Sequence, residues 1–178
     1  MTTKQSDEPY GWVVDRDPDG AVQSGVASLP DSHHEGFVCI DVEAAGFNYK
    51  DALACDGHPG VARTLPLVPG IDTAGTLRST CEAFAAGTPV VATGNGLGEK
   101  IQGGFATEVW VPPSAIIQRP ESLSATAAMA MGTAGLTAML AVERLRAAID
   151  WDFQSRLQHD EPLRSEEHMS ELQSPMYL

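Results

Sequence analysis

Through the first two thirds of the chain, apolar residues come in short bursts separated by Gly- and Pro-rich turns. Gly11-Trp12-Val13-Val14 reads as a short strand, followed by an Asp-Pro-Asp-Gly turn at Asp17–Gly20. Residues 37–43, Phe-Val-Cys-Ile-Asp-Val-Glu, begin apolar throughout and then alternate, as a mostly buried strand does. Residues 73–77 and 89–93 are further candidates, the second bounded by Gly87 and Gly94. Phe105, Thr107, Val109 and Val111 sit at every second position before Pro112-Pro113 stops the run. Several short strands between turns predict a small barrel or sandwich, so the chain is expected to be β-rich, of α+β class.

The period changes at Ser124. Leu123, Ala127, Ala128 and Met131 recur at helical spacing, with Ser124 placed as an N-cap. Gly132 interrupts, and a second helix is expected from Thr133 to Ala147, with Arg144 and Arg146 in a last turn that favours positive charge. This helix is apolar on most of its circumference until Glu143, so it needs partners on more than one side. A barrel offers one side, which predicts that more structure belongs after Ala148. The expected organisation is a disordered N-terminus (1–10), a β domain (11–123), helices (124–148) and a tail (149–178).

That tail holds seven acidic residues and two Arg without a sustained period. The run Arg164 to Ser174 resembles the translation of a sequencing-library adapter, with Met169 where the adapter frame gives threonine. Residues 149–178 are therefore expected to be non-native or disordered, on a reading frame cut short. A genuine acidic tail is the alternative.

Charge narrows the partners. The chain carries 11 Lys and Arg against 24 Asp and Glu, a net charge of −13, which repels nucleic acid and anionic membrane surfaces. No uninterrupted run of 18 apolar residues predicts a membrane span, and the polar segment Met1–Tyr10 has no export signal core. A cytoplasmic protein is expected. Cys39, Cys55 and Cys81 are too few and too scattered for a disulfide framework or a zinc cage. No HExxH or similar spacing involves the five His residues.

Asn48 and Tyr49 follow a buried strand at a strand-to-helix junction, where side chains can point into a cleft. An amide and a phenol can each hydrogen-bond a carbonyl or a carboxamide. The alternatives are a cap or turn role for Asn48 and a half-buried packing role for Tyr49. Lys50 is expected to face solvent. Asp51 is more readily a helix cap or an Arg partner than a proton donor. Arg63 can meet a phosphate or be a plain surface charge. Gly70 and Gly75 suit tight backbone geometry. The run Gly94-x-Gly96-x-Gly98 is no dinucleotide fingerprint, because Glu99 follows where the last glycine would be needed and no βαβ unit surrounds it; it is expected to be a flexible loop. Thr133-Ala134-Gly135 opens a helix, with N–H groups and a hydroxyl able to bond an amide or anion.

Taken in order, residues 46–53 (GFNYKDAL), 67–75 (LVPGIDTAG), 93–99 (TGNGLGE), 103–106 (GGFA) and 131–139 (MGTAGLTAM) resemble the medium-chain dehydrogenase/reductase superfamily. The resemblance is strongest to its zinc-free, quinone-oxidoreductase-like branch containing acrylyl-CoA reductases. It covers residues 11–148. It implies a GroES-like β-barrel catalytic domain and, beyond it, a Rossmann domain for NADPH. It also implies hydride transfer to the β-carbon of an enoyl thioester such as acryloyl-CoA, or reduction of a quinone, usually by a homodimer. On this basis Asn48 and Tyr49 are the catalytic candidates, Arg63 the substrate-binding one, and Thr133, Ala134 and Gly135 lie beside the nicotinamide. Zinc-containing relatives carry Cys where this chain has Asn48, and His-Glu where it has Ile71-Asp72. Asparagine and isoleucine are not zinc ligands of the usual kind, and the four-cysteine structural lobe is absent, so no metal is expected. Nothing after Ala148 supplies the strand, Gly-rich turn and helix of the cofactor domain. These residues alone are accordingly expected neither to bind NADPH tightly nor to turn over. A stand-alone GroES-like binding or assembly module is the alternative.

Overall fold

The structure, a computed structural model, describes residues 8–159, with side-chain surroundings as far as Ile149. The chain divides into two units, Met1–Leu136 and Thr137–Leu178. The first holds seven strands and one short helix: β1 (Tyr10–Arg16), β2 (Val22–Ser28), β3 (Val38–Gly46), α1 (Tyr49–Cys55), β4 (Asp72–Leu77), β5 (Pro89–Thr93), β6 (Glu108–Val111) and β7 (Ile116–Gln118). Helix α2 (Ala125–His159) begins in this unit and runs on into the second.

β1 and β2 form an antiparallel hairpin, and the others form an antiparallel sheet in the order β6-β3-β4-β5-β7. The hairpin closes onto the sheet through β1. Its Trp12 N–H donates to the Phe105 carbonyl at 2.8 Å, and Val14 and Leu67 exchange two backbone bonds at 2.8 Å. This is the β-rich α+β fold expected, with two strands the pattern did not show. Val22-Gln-Ser-Gly-Val-Ala-Ser has only two large apolar residues, both exposed, and β7 is three residues long.

β3 lies between β6 and β4; its first three residues are all buried, and the later ones alternate. Val38, Ile40, Leu77, Val90, Leu97, Val109 and Val111 fill the interior. β4 is buried on both faces as well. One face looks inward with Leu77; the other carries Ala74 against Ala125, Ala128 and Met129 of α2. Gly75 is needed at its crossing of β3, because a Cβ there would lie 2.0 Å from the Asp41 carbonyl oxygen. Arg119, largely buried, ties the approach to α2 in place: it donates to the Leu123 carbonyl at 2.6 Å and to Glu43 at 3.2 Å.

α2 starts as expected, with Ser124 Oγ accepting the Ala127 N–H at 3.1 Å. It is broken at Gly132 (φ 46°, ψ −154°), and the helix beyond the break continues to His159, past the expected end at Ala147. The Ala, Leu, Glu, Arg and Gln residues there are all good helix formers. The adapter-like run 164–174 lies outside the described residues.

By length and composition, Ala125–Ile149 is long and apolar enough to cross a membrane, with a mean hydropathy of 1.5. Its first turn is buried in the domain, and Gly132 breaks it. Beyond the break, Glu143, Arg144 and Arg146 shorten the apolar stretch further.

Candidate active site

The site grows from the end of β3. The chain leaves Gly46 in extended conformation, Phe47 points outward, and Asn48 (φ −120°, ψ 164°) caps α1. Asp51, three residues on, turns its carboxylate back to the Asn48 backbone N–H at 2.7 Å, the acidic half of a capping box. Its other oxygen accepts the Ile71 N–H at 2.9 Å, which pins α1 to the segment entering β4. Asp51 is fully buried, and neither an Arg nor a Lys pairs with it among the described residues. Of the readings open to it, the cap is the one the structure displays.

Asp72 sits one step into β4, on the same face as Ala74, and so beside the break in α2. It too is buried. One oxygen accepts the Thr133 hydroxyl at 2.6 Å. The other accepts the Thr133 N–H at 2.8 Å and the Asn48 amide nitrogen at 2.9 Å. The same amide nitrogen donates to Asp51 at 3.2 Å. A carboxylate accepts only, so it is the NH2 end of the Asn48 amide that faces both acids. Two buried carboxylates thus share one amide and no cation. Hydrogen bonds to N–H and O–H groups carry their stabilisation.

Sequence reasoning placed Asn48 and Thr133 in the site but missed Asp72, which joins them across 61 residues. The available signal was a lone acid in an otherwise apolar strand, Ile71-Asp72-Thr73-Ala74. Gly132 completes the join: its φ of 46° is a glycine conformation, and a Cβ there would lie 2.7 Å from an Asp72 oxygen.

Tyr49 is 80% exposed, and its phenol has no hydrogen-bond partner among the described residues, so it is not the half-buried packing residue that was one of its readings. Lys50 faces solvent and pairs with Glu99 at 2.9 Å. That pair and buried Leu97 anchor the Gly94–Gly98 loop, which was expected to be flexible. Arg63 is exposed without a side-chain partner among the described residues, and Ala134 and Gly135 follow Thr133 on the helix. Phe47 stacks parallel on Phe105, with ring centroids 5.8 Å apart. Phe105 also walls an apolar groove of about 310 Å³ with Tyr10, Trp12 and Val26.

Among the described residues no three His, Cys, Asp or Glu side chains come together as a metal would require. At the junction this chain has an amide turned donor-first toward two acids. A cation does not fit that arrangement. Cys39 is buried, and burial pushes its thiol up to about 11, which favours the protonated thiol at neutral pH.

Residues 34–121 match the alcohol dehydrogenase GroES-like domain family. The chain is 42% identical over 136 residues to the acrylyl-CoA reductase AcuI of Ruegeria pomeroyi, covering 75% of this chain and 41% of that protein. The crystal structure of Escherichia coli YhdH with bound NADPH superposes with a TM-score of 0.71 at 41% identity, over 78% of this chain and 43% of YhdH. Bacillus subtilis YhfP, solved with NAD bound, gives a TM-score of 0.72 at 35% identity, over 78% of this chain and 43% of YhfP. With this fold and this junction, the chain belongs to the medium-chain dehydrogenase/reductase superfamily, through its GroES-like domain. It spans about two fifths of the length of these relatives.

Proposed function

We propose that these residues form the substrate-side lobe of an oxidoreductase that reduces an activated C=C bond, acryloyl-CoA or a related enoyl thioester, with NADPH; a quinone is the other substrate class the resemblance admits. The Tyr49 phenol carries the reading: it is an unengaged donor exposed at the strand-to-helix junction, beside an amide and a helix start that the buried acids hold in place. The identity to an acrylyl-CoA reductase supports it.

When bound, NADPH supplies the hydride. The protein's own task is to seat the substrate and stabilise charge on the thioester oxygen as it develops, and Tyr49 O–H is the group placed to donate there. Asn48 and the segment Thr133, Ala134 and Gly135 line the nicotinamide side. Exposed Arg63 offers its charge to the CoA phosphates. The reading carries a cytoplasmic location, a longer homodimeric protein, and no nucleic-acid or membrane partner.

A chimera tests it, with residues 1–136 of this chain joined to the cofactor-binding remainder of YhdH. It should oxidise NADPH when given acryloyl-CoA, and Tyr49→Phe should lower kcat by about 100-fold. A folded chimera that binds NADPH yet turns over no enoyl thioester or quinone would refute the proposal. The chain would then read better as a binding module.

A further inference from the structure

The geometry points to Asn48 as a hydrogen-bond acceptor toward ligand: Asp51 and Asp72 take the hydrogens of its amide, so the ligand group it meets is an N–H or O–H donor and not a carbonyl. This deepens the reading proposed above and rests on it.

A primary amide has two N–H donors and one carbonyl oxygen. Here the nitrogen lies 2.9 Å from an Asp72 oxygen and 3.2 Å from an Asp51 oxygen, one acceptor for each hydrogen. Both acids are buried and without a cation, so releasing either hydrogen leaves a buried carboxylate short of a donor. The amide cannot rotate either, because its oxygen would then face two acceptors. Capping of α1 takes at most one of the two lone pairs on Oδ1. Thr133 is committed in the same sense, its hydroxyl hydrogen and its N–H both going to Asp72.

Asn48 is therefore matched to a carboxamide NH2, as on a nicotinamide ring, or to a hydroxyl. Polarising a thioester carbonyl falls to Tyr49, the junction donor with no partner among the described residues. Asp51 and Asp72 are positioning residues that set this polarity.

Asn48 and Asn95 are the only asparagines of the chain, and Asn95 is exposed with its amide nitrogen donating to the Thr93 carbonyl at 3.1 Å, so each labelled sample contains a solvent-facing reference. In the ¹⁵N,¹³C-labelled 178-residue chain, both Asn48 amide protons should exchange with water at least ~10-fold more slowly than those of Asn95. They should also show scalar couplings to the Asp51 and Asp72 carboxyl carbons. Nicotinamide at millimolar concentration should shift the Asn48 carbonyl carbon and leave its amide protons protected. Methyl crotonate, an enoyl ester without a donor, should leave both the carbonyl carbon and the amide protons unshifted.

Rapid exchange of either Asn48 proton in the free chain overturns the assignment, as does methyl crotonate shifting those protons. Silence from both probes with protection intact overturns its ligand-facing half. The YhdH chimera assay is independent of all three outcomes, so failure of the assigned polarity and failure of the proposed activity are separable.

Discussion

Asp72 and Thr73 are neighbours on β4 with opposite fates. The Asp72 oxygens meet three donors, whereas the Thr73 hydroxyl, on the inward face, is buried with no partner among the described residues. An unmatched hydroxyl in an apolar interior is a net loss, and valine has the same shape without it. Thr73→Val should therefore raise unfolding free energy by up to about 1 kcal/mol in urea titration. A loss of that size would mean that the hydroxyl is bonded after all. The contrast shows how local the energetics are: adjacent residues point to opposite faces, one to a built polar site and the other into the core.

At the scale of elements, the break in α2 is what brings a helix start to Asp72. Gly132 adopts a conformation that costs other residues about 1–3 kcal/mol, and a methyl group there would also displace Asp72. Gly132→Ala should destabilise the domain by about 2–3 kcal/mol, and each kcal/mol should lower the melting temperature by about 2–4 °C. An unchanged melting curve by circular dichroism would show that the break is not required. The break, the Ser124 cap and strands β3 to β5 were legible in the sequence because each leaves a local mark: a glycine inside a helical period, a capping side chain, an apolar burst between turns. β2 and β7 left no such mark, and β2 is held by hairpin pairing and not by burial of its side chains. The site was half legible for the same reason. Asn48 and Asp51 lie within one turn of each other, whereas Asp72 finds its partners 24 and 61 positions away.

For the whole molecule, the apolar stretch beyond Gly132 sets the behaviour in solution. Leu136, Met139, Leu140 and Leu145 are all exposed. Exposed apolar surface of this kind promotes self-association. Sedimentation velocity of the purified chain should show mass rising with concentration, and the double substitution Leu140→Glu with Leu145→Glu should shift it toward monomer. A monomer at high concentration before substitution would contradict this.

The seam between β1 and the segment before β6 sets a timetable for biosynthesis. Tyr10 bonds Thr107, 97 residues later in the chain. At about 5–20 residues per second, the ribosome needs roughly 5–20 s to make the receiving segment after the strand itself has been made. During that interval β2 can cover one edge of β1 and Leu67 can meet Val14 on the other, but the Tyr10–Trp12 end of that second edge stays open. A nascent chain of this protein therefore has a defined period in which an early strand can pair with the wrong neighbour, and codon usage between those two points would lengthen or shorten it.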